Sequence, residues 1–401
     1  MKQDKDRWII ALLLFLGLIG LNVLWFILSP LLTIIMSDLN LSLSQGGLVS
    51  SAVCLLVALF SILGGLVVDR IGVKRTFMYG LGFMAFGAVS SYIVNSYISL
   101  FASRVLIGIG FGLCLPVSGV IIMMWFSAKE RPYINTINSA LPYAATVITF
   151  SLTIPLYIWF NHSWRLVISS WGIFLALIAV IWGLWGKERQ VVKLPDWEAI
   201  AEPNLYRTVW KNREVRLLSM AEACDMWSFQ FLTSMLPTFF TVEVGLSAVA
   251  AAKLTALFPL TGLAAGLVCG VWMTRVGVRK PFTWPMHISI FAGTLLIIST
   301  TGWWRILGIT LAGFGNAGWA PALFTMPMEF ENMTSSKVGA VYALMLALGF
   351  LAAFISPWLG GYLAQKISLH HTIFIFSFSS LLAAGLTFSM QETGPAARAK
   401  N

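Results

Sequence analysis

Two acids stand where acids are rarely placed. The chain holds 16 Asp and Glu residues, and all but Glu222 and Asp225 fall in loops or at the ends of long apolar runs. These two lie inside a run, three residues apart. On a helix they share a face, continued by Met226 and Phe229. Two carboxylates in a low-dielectric segment resist ionising together. That suits a pair that takes up and releases a proton, or that meets a cationic group. The competing reading is a structural pair near the cytoplasmic mouth of the segment, partly wet.

Other polar residues interrupt comparable runs. Asn22, Arg104 and Asn316 do so one at a time. Polar groups in hydrocarbon are unfavourable, so these face a bundle interior or a water-filled cavity. Arg104 suits an anionic substrate or a relay to a protonatable acid; its alternative is a structural arginine snorkelling to the outer interface. Asn135, Asn138 and Pro142 fall on one helical face, as cavity residues or as hydrogen-bonded packing. Trp25, Tyr143, Trp227, Phe229 and Trp319 offer aromatic faces to a flat or cationic solute. Most of the 17 tryptophans are expected in the interfacial belts instead.

No catalytic set emerges. His162, His287, His370 and His371 make no zinc spacing, and the glycine-rich runs lie inside apolar segments, not after strands. Cys54, Cys114, Cys224 and Cys269 sit in apolar runs as small apolar residues. Neither an enzyme, a metal nor a cofactor is expected.

The elements that carry these residues follow from composition. The chain is 58% hydrophobic and 10% charged, against roughly 25% charged in soluble domains. It reads as an all-α polytopic membrane protein. Twelve apolar runs are long enough to span, at roughly 8–36, 44–68, 77–94, 98–125, 134–160, 164–185, 216–242, 248–273, 282–300, 304–327, 337–363 and 371–390. The first follows Lys2, Lys5 and Arg7, is too long for a signal peptide and lacks a small-residue cleavage site, so it reads as span 1. Within spans 3, 6, 9 and 12, His287 is the one ionisable group.

The net charge of +10 sits in short loops, which argues for membrane orientation and against a nucleic-acid partner. All 26 lysines and arginines except Arg104, Arg165, Lys253, Arg305 and Lys366 fall on one side, which places both termini in the cytoplasm. The expected units are 1–186 and 216–401, joined by a cytoplasmic linker at 187–215. Pro195 and Pro203 break that linker. From Asn204 to Arg213 it also suits an interfacial helix, with Leu205, Val209 and Trp210 toward lipid and Arg207, Lys211 and Arg213 toward phosphate.

The chain repeats itself. Gly65, Arg70, Gly72, Val73 and Phe77 return about 205 residues later as Gly270, Arg275, Gly277, Val278 and Phe282. Lys74 and Arg75 return as Arg279 and Lys280. Arg104 to Gly108 is echoed by Arg305 to Gly308. Duplication in an apolar chain is a signature of secondary transporters.

The first copy resembles a known family. Gly65, Asp69, Arg70, Gly72, Lys74 and Arg75 look like the motif between spans 2 and 3 of the major facilitator superfamily. Arg104 with Gly108 and Gly112 is similar to its span 4 motif. The resemblance covers essentially the whole chain. It implies two pseudo-symmetric six-helix bundles around a central cavity lined by spans 1, 4, 7 and 10. It implies a conformational gate at Gly65, Asp69, Arg70, Gly72, Lys74 and Arg75. Asp69 would meet the start of span 11 near Ser335 and Ser336 and latch the halves when the cavity faces out. Thr274 replaces it in the second copy.

Subfamily signals are mixed. Span 5 has Pro142 but no glycine, unlike the motif of many multidrug antiporters. The run from Asn22 to Ser51 resembles small-solute permeases for organic or inorganic anions. The cations that oxalate-type permeases place deep in spans 8 and 11 have no counterpart here. Glu222, Asp225 and the aromatics lean toward a cation or neutral solute. The expected function is secondary active transport of a small polar organic solute by alternating access, as proton-coupled uptake. The substrate-binding set would be Asn22, Trp25, Arg104, Asn138, Tyr143, Phe229, Asn316 and Trp319, with Glu222 and Asp225 for the proton or another coupling ion. A monomer in a bacterial cytoplasmic (inner) membrane suffices. The alternatives are a multidrug or cation exporter working by proton antiport and a membrane sensor that does not transport.

Overall fold

In the computed structural model the described residues are 2–127, 130–187 and 204–398. Lys129 and most of the expected linker lie outside them. Every regular element among them is helical, as a bilayer requires of backbone that has no water to bond. Eleven helices are long and apolar enough to cross a membrane. Span 7, Arg213–Val242, is 30 residues long and completes the expected twelve. It is less apolar because it carries Glu222 and Asp225 together with Ser219, Ser228, Gln230 and Thr233.

Two spans are broken. Span 1 consists of Lys2–Phe26 and Leu28–Leu39, with the joint at Ile27. Span 10 consists of Gly302–Gly318 and Ala320–Glu329, with the joint at Trp319. Each joint is followed by a proline, Pro30 and Pro321 respectively. A proline gives no N–H to the carbonyl four residues back, here Phe26 and Ala317, and its ring crowds that carbonyl.

The repeated basic turn has a backbone reason for its glycine. Gly72, between spans 2 (Leu43–Ile71) and 3 (Val73–Ser90), has φ 86°, and Gly277, after span 8 (Ala248–Val276), has φ 73°. Residues with a Cβ rarely adopt either value.

The chain forms two compact units. The first comprises Met1–Val192 with Thr233–Lys253, and the second Lys193–Leu232 with Leu254–Asn401. In the first, Ser29 donates to the backbone carbonyls of Thr233 and Ser234. Gly108 and Gly112 bring span 4 (Tyr97–Trp125) onto span 2. A methyl at Gly108 would lie 2.6 Å from the Leu56 Cβ, and one at Gly112 2.6 Å from the Phe60 Cβ. This is the close approach that the four-residue spacing implies. Gly112→Val should therefore lower the thermal unfolding midpoint of the purified protein, by an overpacking penalty of about 1–3 kcal/mol. An unchanged midpoint would show that the two spans part without penalty.

In the same unit, Arg7 pairs with Glu130 at 2.9 Å. The Ser127 hydroxyl and N–H, with Arg7 adding to them, hold the Glu130 carboxyl below its ordinary range. Arg70 and Arg75 are exposed, and the Lys74 carbonyl accepts from the Trp182 indole at 3.1 Å. The side chains of Asp69 and Ser335, and the surroundings of Gly65, lie outside the described residues.

The second unit corrects one expectation. The helix Leu205–Lys211 does not turn Leu205 and Val209 toward lipid. Both are buried in a cluster with Met326, Phe330, Val341 and Met390. The packed cluster withdraws their apolar area from every solvent, while Arg207 stays exposed. In the same unit Arg279 forks onto Glu329, with contacts of 2.6 and 3.1 Å. Glu392 accepts the backbone N–H groups of Arg279 and Lys280 at 2.7 and 3.1 Å. The second basic turn is thus tied down by acids from the ends of spans 10 and 12.

Candidate functional site

Each unit buries a polar cluster on the joint of a broken span. In the second unit the centre is Asp225 on span 7, 2% exposed. Asn316, one turn before the span 10 joint, donates to Asp225 Oδ2 at 3.0 Å. Trp319, the joint residue, lies within hydrogen-bonding reach of the same carboxyl. His287 of span 9 (Trp284–Ser299) brings its Nδ1 to 3.7 Å from Asp225 Oδ1. The His287 and Trp319 rings are 4.6 Å apart.

Glu222 is one turn earlier on span 7 and 4% exposed. Its carboxyl lies against Gly349 of span 11, where an added Cβ would stand 3.4 Å from Oε1. Its Oε2 makes no hydrogen bond. The two acids therefore leave their shared face in different directions, Asp225 toward spans 9 and 10 and Glu222 toward span 11. Both are buried. Phe229 stacks at 6.3 Å from Phe258 of span 8.

In the first unit the centre is Arg104, 1% exposed. Its Nη1 and Nη2 donate to the Leu24 and Trp25 carbonyls at 2.6 and 2.8 Å. These carbonyls belong to the last turn before the span 1 joint, where a helix leaves acceptors without intrahelical donors. Snorkelling to the outer interface does not occur, because the backbone offers acceptors inside the bundle. Its Nε makes no hydrogen bond. Asn22 donates to Leu18 O at 2.8 Å on its own helix. Trp25 stacks on Phe26 at 4.7 Å and meets the edge of Phe111 at 5.2 Å. Asn138 and Tyr143 on span 5 (Arg131–Trp159) are half-buried, and Asn135 is exposed.

The structure thus brings Asp225, Asn316 and Trp319 together, and Trp25 with Arg104. Asn22 bonds within its own helix. Sequence reasoning passed over His287 as a partner of Asp225. The signal was present: it is the one ionisable residue in an otherwise apolar set of spans. Among the described residues no group of His, Cys, Asp and Glu is placed to hold a metal ion.

Ionisable side chains buried in spanning helices mark substrate or ion pathways. The chain is a membrane transport protein. It belongs to the Major Facilitator Superfamily, whose sequence profile matches residues 14–330 and again 218–401. A probable galactarate/D-glucarate transporter of Bacillus subtilis is 25% identical, over 96% of this chain and 92% of its own. The hexuronate transporter of the same organism is 25% identical over the same shares. A D-galactonate transporter of Escherichia coli is 24% identical over 87% of each chain. Among solved structures, a bacterial homologue of the human lysosomal transporter Spinster, inward-facing and unoccupied, aligns with TM-score 0.82 at 17% identity over 96% of each chain. A D-xylose–proton symporter aligns with TM-score 0.76 at 17% identity, over 95% of this chain and 97% of its own. The fold is the major facilitator fold, and the protein is an integral membrane secondary transporter of small organic solutes, not an enzyme.

Proposed function

We propose that the protein takes up a small organic acid together with a proton by alternating access. The observation that carries this is Asp225, buried in span 7 with Asn316 on one oxygen and Glu222 one turn away. A buried carboxylate repels an anionic solute, and a protonated one does not. Proton and anion then bind together or not at all, and that mutual dependence is the coupling. The relatives named for galactarate, D-glucarate, hexuronates and D-galactonate support an acid as the solute. The lean toward a cation or neutral solute rested on the acid pair and the aromatics; protonation removes the pair's charge. Substrate contacts are assigned to Trp25, Asn138, Tyr143 and, as cationic donor, Arg104 in the first unit, and to Phe229 and Trp319 in the second. The protein works as a monomer in a bacterial cytoplasmic membrane, with both termini inside.

The test is uptake by proteoliposomes under an imposed inward proton gradient, with radiolabelled D-glucarate, D-galactonate, a hexuronate and a lipophilic cation. Accumulation of at least one acid, abolished by a protonophore, is expected. Accumulation indifferent to the gradient would end the proton-coupled reading, and proton-driven movement of the lipophilic cation alone would replace it with an exporter. Orientation is tested separately by cysteine labelling. A cysteine at position 187 or 275 should react with an impermeant thiol reagent only from the cytoplasmic side, and one at position 161 only from outside. Reaction of position 275 from outside in intact cells would invert the topology.

A further inference from the structure

We propose that His287 is the inner resting place of the coupling proton, which passes between Asp225 Oδ1 and His287 Nδ1. This deepens the proton-coupled reading of Asp225 and rests on it. His287 is fully buried on span 9, and neither of its ring nitrogens makes a hydrogen bond. Buried imidazoles ordinarily find a partner for at least one nitrogen. The nearest acid oxygen is Asp225 Oδ1 at 3.7 Å, itself without a hydrogen bond. A small side-chain rotation closes that gap to hydrogen-bond length. The other oxygen of Asp225 is held by Asn316, so the carboxyl offers Oδ1 alone to the imidazole.

The transfer balances within the pair. The O–H bond of the protonated Asp225 breaks, and an N–H bond forms at His287 Nδ1. The neutral acid and neutral imidazole become a carboxylate and an imidazolium. Net charge is zero before and after, so no isolated charge is left in the bundle. A proton on His287 is shielded from the solute, while Asp225 stays neutralised by its neighbour.

The surroundings contain little that competes. Span 7 contributes Asp225 and, one turn away, Glu222. Span 10 faces the ring with Asn316 and Trp319, and its Arg305 is engaged far off with the Ile297 carbonyl. Span 8 contributes Cys269, beside Met286 at Gly318. Span 12 (Leu369–Phe388) has its titratable groups, His370 and His371, at its first turn. The turn before span 9 holds Lys280 over the Phe388 ring at 5.1 Å, and Arg279 on Glu329.

The test needs no transported substrate. The chain has four histidines, so nitrogen-15 histidine labelling of the full-length protein in lipid nanodiscs gives a short spectrum. His287→Gln identifies the His287 signal by its disappearance. Between about pH 5 and pH 8 that signal should pass from an imidazolium to a neutral ring, and Asp225→Asn should abolish the passage. A ring that stays in one neutral tautomer throughout, or that titrates unchanged in Asp225→Asn, would overturn the proposal and leave His287 a packing residue. A second readout is the pH profile of proton-driven D-glucarate uptake. His287→Gln should move its alkaline limb to lower pH, because the proton then has one place instead of two. An unmoved limb counts against the relay, whatever happens to the maximal rate. Should Asp225→Asn still concentrate D-glucarate while its His287 signal is altered, the coupling role of Asp225 fails and not the contact.

Discussion

Asp225→Asn should abolish uphill accumulation of the solute while leaving downhill exchange in place. Asparagine keeps the size of the side chain and can still meet Asn316, so the fold is expected to survive. What it loses is the ability to carry charge in one state and none in the other. An ionised carboxylate at the centre of a spanning helix is unfavourable by about 2.5–3.5 kcal/mol on insertion scales. Protonation removes that penalty, and the solute's own charge changes how readily it happens. In the Asn variant nothing links the two, so the solute should equilibrate without concentrating, and its movement should lose its pH dependence. The measurement is internal against external label in proteoliposomes with and without a proton gradient, beside counterflow with no gradient. Glu222→Gln is the matched comparison. If both neutral variants concentrate solute as the parent does, the acids are structural and the coupling group lies elsewhere.

The second large effect is on the fold. Arg104→Ala should give a protein that is poorly recovered from membranes and unfolds at much lower temperature. The guanidinium supplies two charge-assisted hydrogen bonds to the Leu24 and Trp25 carbonyls. Bonds to charged groups contribute about 1.5–3 kcal/mol each. Removing them leaves two carbonyls facing the bundle without their donor. Arg104→Lys keeps the charge but has no planar fork, so it should reach one carbonyl and give an intermediate loss. Size-exclusion profiles after a heating series rank the three proteins. An Ala variant as heat-stable as the parent would mean that the Arg104 clamp contributes nothing to the fold.

Much of this arrangement is legible from the residues alone. The twelve apolar runs show themselves because hydrocarbon thickness sets a helix length. The duplication shows in Gly72 and Gly277, since a backbone at positive φ favours the same residue twice. Asp225 stands out because charge is rare where it lies. Other features are invisible for equally physical reasons. Leu205 and Val209 make an amphipathic pattern that suits a membrane surface and a protein surface equally well. Only the packing partners Met326, Phe330 and Met390, far away in sequence, decide between them. The pairing of His287 with Asp225 needs the relative rotation of spans 7 and 9, which no local pattern encodes. Arg104 shows its basic character in sequence but not that its acceptors are main-chain carbonyls.

The breaks in spans 1 and 10 put each polar cluster at a joint. Arg104 grips the chain just before the joint at Ile27, and Asp225 engages Asn316 and Trp319 at the joint of span 10. The segment beyond that second joint, Ala320–Glu329, has 10 residues, about 15 Å of helix. Tilting it by about 10° moves its far end by about 2.6 Å for that length, enough to make or break a hydrogen bond there. That far end carries Glu329, the partner of Arg279. The Arg279–Glu329 ion pair therefore stands one short helix away from the Asp225 cluster, within reach of a small tilt at the joint.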